Sequence, residues 1–143
     1  MPAGRPSEYS QEKAAEICAR LVEGESLRSI CAADEMPDIK TVYRWMGANE
    51  EFRQQYALAR EDQADTLADE IVEIADDSSR DTITKQRDDG SEYEVCNTEW
   101  VNRSRLRVDA RKWVASKLKP KKYGDRTDSN VNVTGRLEVA WAG

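Results

Sequence analysis

Three side chains in the stretch "DIKTVYRWM", Lys40, Thr41 and Arg44, have the types and spacing to read a nucleic acid. Lys40 and Arg44 lie about one helical turn apart and share a face, where an ammonium and a guanidinium can meet phosphates and base edges. The residues between and beyond them, Val42, Trp45 and Met46, fit a packing face. Arg28, on the preceding segment, is placed for a phosphate. Arg5 in "GRPS" lies on an extended segment of the kind that enters a minor groove, although the same segment reads equally well as a tail whose Ser7 or Ser10 caps the first helix.

Other chemistries find less support. Histidine is absent, which removes Ser-His and Cys-His catalysis and every zinc site built on imidazole. Cys18, Cys31 and Cys96 are widely spaced and read as structural thiols. Asp62, Asp65, Asp69, Glu70 and Glu73 invite comparison with a two-metal nuclease site, which needs inward-facing carboxylates from different elements around ions about 4 Å apart. All five lie on one amphipathic helix opposite its apolar stripe, so a solvated face is the simpler reading. No cofactor and no metal is expected.

The elements that must position these three side chains follow from caps and periods. Ser10 caps a helix with Ala14, Ile17, Cys18, Leu21 and Val22 on one face, and Gly24 ends it. Ser26 caps a short helix with Leu27, Ile30 and Cys31 inward. "DEMPD" breaks it, and Asp38 is expected to cap the helix from Ile39 through Tyr43 to Met46. Three short helices with these turns have the spacing of a helix-turn-helix, whose last helix enters the major groove.

From Glu50 to about Ala75 nothing interrupts a helical pattern carrying Ala64, Leu67, Ile71 and Ile74, which predicts one helix of about 37 Å. Residues 80–97, with β-branched side chains around a central "DDG", predict a small β-hairpin. A second long helix runs from about Glu99 to Leu118, with Leu106, Ala110, Trp113, Val114 and Leu118 on one side, and Pro120 stops it. Beyond a polar linker, Val131, Val133, Leu137 and Val139 alternate with polar residues in a period-two strand. An isolated strand is not stable, and the same strand of another subunit is its natural partner.

Charge is divided along the chain, whose net value is -6. The first long helix is strongly acidic, and the second carries Arg105, Arg107, Arg111 and Lys112, with Lys121 and Lys122 just beyond. Antiparallel packing would set the acidic face beside the basic one, so part of the basic run is expected to be neutralised internally, leaving a secondary basic surface. The apolar content of 38% gives a modest core, and some apolar surface is expected between subunits. No apolar run approaches the roughly 20 residues of a membrane span, and the N-terminus lacks a signal-peptide core. A soluble intracellular protein without membrane contact is expected.

"GRPSEYS", "MPDIKTVYRWM" and "RSRLRVDARKWVASKLKPKKYGD" together resemble the small terminase subunits of tailed bacteriophages, the group that includes the small terminase of Shigella phage Sf6. The resemblance covers nearly the whole chain and is weakest over residues 80–97 and the final strand. It implies a mainly α fold: an N-terminal helix-turn-helix domain (1–49), a central long-helix hairpin for oligomerisation with the β-hairpin insertion (50–124), and a C-terminal strand (125–143) forming an intersubunit barrel. Leu67, Ile71, Ile74, Leu106 and Trp113, with Val131, Val133, Leu137 and Val139, are the candidates for assembly. The resemblance further implies a ring of roughly eight to ten subunits, double-stranded viral DNA and the large terminase subunit as partners, and no catalysis of its own. The setting it implies is the host bacterial cytoplasm rather than the mature virion. The alternative is a helix-turn-helix transcriptional regulator of phage or prophage origin. An enzyme acting on DNA is disfavoured by the missing histidine and the lack of convergent carboxylates.

Overall fold

A computed structural model describes residues 4–125, so the alternating segment with Val131, Val133, Leu137 and Val139 lies outside the described residues. The elements run α1 Gln11–Val22, α2 Leu27–Cys31, α3 Ile39–Ala48, α4 Glu50–Asp76, β1 Thr82–Gln86, β2 Glu92–Cys96, α5 Thr98–Leu118 and α6 Pro120–Tyr123. The fold is mainly helical with one small antiparallel sheet, as the periodicities indicate.

Local chemistry sets most boundaries. Ser10 Oγ accepts the Lys13 N–H at 3.3 Å to open α1. At its end, the Gly24 N–H donates to Leu21 O and the Glu25 N–H to Arg20 O, the paired bonds of a Schellman motif. Gly24 sits at φ 104°, where a Cβ is disfavoured. Ser26 caps α2 by accepting from Ser29 N–H at 3.1 Å, and Asn49 opens α4 by accepting from Phe52 N–H at 3.1 Å. The cap expected from Asp38 does not form: the residue holds the cap position, but its carboxylate makes no capping bond. Met36 and Pro37 just before it are fully buried, so packing rather than a side-chain cap fixes where α3 begins.

The core gathers Ala14, Ile17 and Leu21 of α1, Leu27, Ile30 and Cys31 of α2, Val42 and Trp45 of α3, and Phe52 and Ala59 of α4. The first unit and the central helix therefore share one apolar cluster. Phe52 is its hub, with the rings of Tyr9, Trp45 and Tyr56 at 6.1, 6.5 and 6.3 Å. Two polar side chains of α4 also answer carbonyls at and just beyond the end of α1. Thr66 Oγ donates to Val22 O at 2.6 Å, and the buried Gln63 donates to Glu25 O at 2.6 Å.

Contacts between α4 and α5 run in opposite order along the chain: Ile74 lies near Val101 and Val108, Glu70 meets Arg111, and Asp65 meets Lys119. The two helices are therefore antiparallel. The hairpin joins them, with Ile83 opposite Val95 and Lys85 opposite Tyr93. Its turn uses Gly90 at φ 85°.

The apolar side expected of α5 divides between covered and uncovered residues. Leu106 and Trp113 do not pack inward; they stand 61% and 64% exposed, while Ala115 is buried and Val101, Val108 and Leu118 are half-buried. Val101, Val108 and Ala115 form an inner stripe at seven-residue spacing, and Leu106 and Trp113 an outer one. The inner one carries small side chains that permit close approach to Ala68 of α4, and the Arg111–Glu70 pair fixes the rotation.

Candidate nucleic-acid interface

The geometry of α3 decides what it presents. Val42 and Trp45 are buried at 0% and 3% exposure, so at 100° per residue Lys40, Tyr43, Arg44 and Gly47 point outward within an arc of about 100°. Lys40 and Arg44 are exposed and Thr41 is half-buried at the edge of this face. Arg28 is exposed on α2. Sequence reasoning missed Tyr43, which is 57% exposed between the two cations. Its signal was available: an aromatic at i+3 from Lys40 falls on the polar side of the wheel.

Arg5 lies elsewhere than an arm would put it. Its Nη1 donates to Cys31 O at 2.8 Å, at the C-terminus of α2 where carbonyls lack intrahelical partners, and a second nitrogen lies 3.9 Å from Asp34. Two residues on, Ser7 O accepts from Arg44 Nη2 at 2.6 Å and from Trp45 Nε1 at 3.3 Å. Tyr9 then meets Trp45 edge to face at 5.6 Å. Residues 5–9 form a strap across α2 and α3 rather than a free extended arm. Ser10, not Ser7, is the cap.

The secondary basic surface divides. Arg111 Nε pairs with Glu70 at 2.7 Å, and Lys122 and Lys119 reach the two oxygens of Asp65 at 3.0 and 3.1 Å. The Tyr123 hydroxyl also donates to Asp65 at 2.6 Å. These donors, the hydroxyl first, hold the Asp65 carboxyl well below the usual carboxylate range, while the same bonds raise Lys122 and Tyr123. Arg105, Arg107, Lys112 and Lys121 are exposed and enter no ion pair among the described residues.

The assembly candidates divide as well. Leu67 and Ile74 are buried within the single chain, at 8% and 9% exposure. Ile71 lines a groove of about 440 Å³ between α4 and α5, together with Ala68, Trp113 and Tyr123. Leu106 and Trp113 stay uncovered. Of the cysteines, Cys31 is buried, Cys18 half-buried and Cys96 exposed; burial raises the first two thiols. No three cysteine or carboxylate side chains gather into a metal-binding group among the described residues. No helix there is long and apolar enough to cross a membrane.

Fold and surface together define a small, mainly helical protein in which a three-helix unit with a cationic helix face rides on a long-helix hairpin. The chain belongs to the family described as bacteriophage Sf6, terminase small subunit-like, whose profile matches residues 9–130. Similar solved structures include single-substitution variants of the terminase small subunit gp1 of the bacterial virus Sf6. Two have a TM-score of 0.69 with 38% and 39% identity, and each comparison covers 88% of this chain and 85% of that one. A third has a TM-score of 0.68 at 39% identity and the same coverage. No curated protein sequence matches.

Proposed function

We propose that this phage small terminase binds double-stranded viral DNA as a ring of its own copies and passes it to the large terminase subunit. It regulates that subunit's ATPase and nuclease as packaging begins, without catalysis of its own, in the host cytoplasm and not in the mature virion. The observation that carries the reading is the outward face of α3, where Lys40, Tyr43 and Arg44 share one arc over a buried Val42 and Trp45. In this reading α2 and α3 act as a helix-turn-helix. The face of α3 enters the major groove, with Thr41 at its edge and Arg28 on a phosphate.

Self-assembly rests on two unlike faces. The outer side of α5 sets Leu106 and Trp113 among Arg103, Arg107 and Lys117; the outer side of α4 sets the exposed Leu58 and Val72 among Asp62, Asp69 and Glu73. Different patches that complement each other make a heterologous contact, which forms a ring when the rotation between copies closes; a ring of roughly eight to ten subunits is proposed. The exposed Arg105, Arg107, Lys112 and Lys121 remain as secondary basic surface for DNA or the large subunit.

Assembly also resolves the charge problem. Residues 1–49 hold six basic and eight acidic side chains, so one subunit has little electrostatic hold on DNA. A ring multiplies weak contacts through effective concentration. Replacing Lys40 and Arg44 together by Ala tests the reading: duplex binding falls at least tenfold while the oligomer stays intact. Unchanged binding by that intact oligomer would move the contact off α3.

A further inference from the structure

The strap of residues 5–9 is tied at its start and its middle by side chains that the charge pattern assigns to DNA. Arg5 lies against Cys31 O at 2.8 Å, and Arg44 lies against Ser7 O at 2.6 Å. Arg5 thus has one guanidinium nitrogen fixed on the end of α2, and its nearest carboxylate, on the fully exposed Asp34, is 3.9 Å away. Pro6, with its restricted φ, links it to Ser7. The strap is anchored a second time where Tyr9 packs on Trp45 and Phe52. Between these anchors the Ser7 carbonyl is held against α3, where it takes one donor from Arg44 and another from Trp45.

We propose that Arg5 is a positioning residue for DNA recognition: by pinning the strap to α2, it holds the Ser7 carbonyl that orients the Arg44 guanidinium. This rests on the assignment of α3 as the reading helix. A free arginine on a helix surface samples many rotamers and must be ordered when it meets DNA. Here one edge of the planar fork is already engaged by a backbone carbonyl, and the remaining donors of Arg44 stay available in a fixed orientation. Trp45 makes the arrangement rigid, because its buried indole bonds the same carbonyl. Arg5 then acts on DNA through Arg44 rather than by touching a phosphate.

The test is a double-mutant cycle on the full-length assembled protein, with duplex affinity read by fluorescence anisotropy over a series of salt concentrations. Arg5→Ala is expected to weaken binding about threefold to tenfold, the effect of having to order one long side chain on binding. The salt slope stays unchanged, and in an Arg44→Ala background the same substitution has no further effect. Arg5→Lys, which keeps a donor for Cys31 O, restores most of the affinity. Thermal unfolding of each variant checks that the fold persists.

Additive losses would overturn the proposal, as would a salt slope reduced by about one unit on Arg5→Ala, the mark of a direct phosphate contact. Wild-type affinity in Arg5→Ala would overturn it as well. If Arg44→Ala and Lys40→Ala each bind as wild type, α3 is not the reading helix, and the proposal falls with that assignment. If both weaken binding while Arg5 acts independently, only the strap's role is lost.

Discussion

Trp113 gives the sharpest test of assembly, because it is large, apolar and uncovered in the single chain. It is 64% exposed, and with a tryptophan presenting up to about 250 Å², roughly 150 Å² faces solvent. Covering that area against a second copy stabilises one contact by about 4 kcal/mol at 25 cal/mol per Å². Incomplete burial lowers the figure to about 2–4 kcal/mol, so Trp113→Ser weakens each subunit contact by about 30-fold to nearly 1000-fold. The fold of one chain is expected to change little, since most of the ring faces solvent; it edges the groove shared with Ala68 and Ile71 and meets Lys117 at 5.5 Å, a cation–π pair on the surface. Native mass spectrometry and sedimentation velocity at micromolar concentration are expected to find the proposed ring replaced by small species, with unchanged far-UV circular dichroism. Leu106→Ser, two turns earlier on the same face, acts in the same direction. A Trp113→Ser protein that assembles like wild type would refute the reasoning and move the interface away from the outer side of α5.

Asp65 governs how α6 is held. Bonds from Tyr123, Lys122 and Lys119 favour its ionised form, so its folded pKa lies below the unfolded value near 4. The latch therefore contributes fully above that value and is lost as pH falls through the folded one. Hydrogen exchange is expected to show α6 losing protection progressively below about pH 4, and Asp65→Asn to show the same loss already at pH 7; equal protection at pH 7 would argue against the latch. The glycines separate two effects. Gly24→Ala is expected to destabilise by about 1–2 kcal/mol, because φ is 104° and the new Cβ would lie 3.0 Å from Glu70 Oε1, on a side chain that Arg111 already holds. Gly47→Ala meets nothing within 4 Å and, in the last turn of α3, stabilises the helix by up to about 0.5 kcal/mol. Urea denaturation reads both.

Much of the fold is legible in short range because its causes are short range. Ser10, Gly24 and Ser26 act on backbone groups within a few residues, and α4 and the hairpin follow from uninterrupted periodicity and the "DDG" turn. Asp38 shows the limit of local reasoning: the residue type fits a cap, but burial of Met36 and Pro37 already places the helix start. The cationic face of α3 was legible for Lys40 and Arg44. Tyr43 was passed over because an aromatic in a helix is read by default as core.

By itself, the sequence determined the longer helices, the hairpin, the division of charge and the apolar positions of α5, while α6 forms where a helix stop and a polar linker were expected. Tertiary structure alone decided which stripe of α5 turns inward, because periodicity places residues on a common face without saying which face finds a partner. It also decided which cations remain free. Arg111 meets Glu70, Lys122 meets Asp65 and Arg5 meets Cys31 across separations of 41, 57 and 26 residues. Pairings at such distances along the chain depend on how whole helices dock, and docking is set by side-chain volume and charge over an entire face rather than by any local motif.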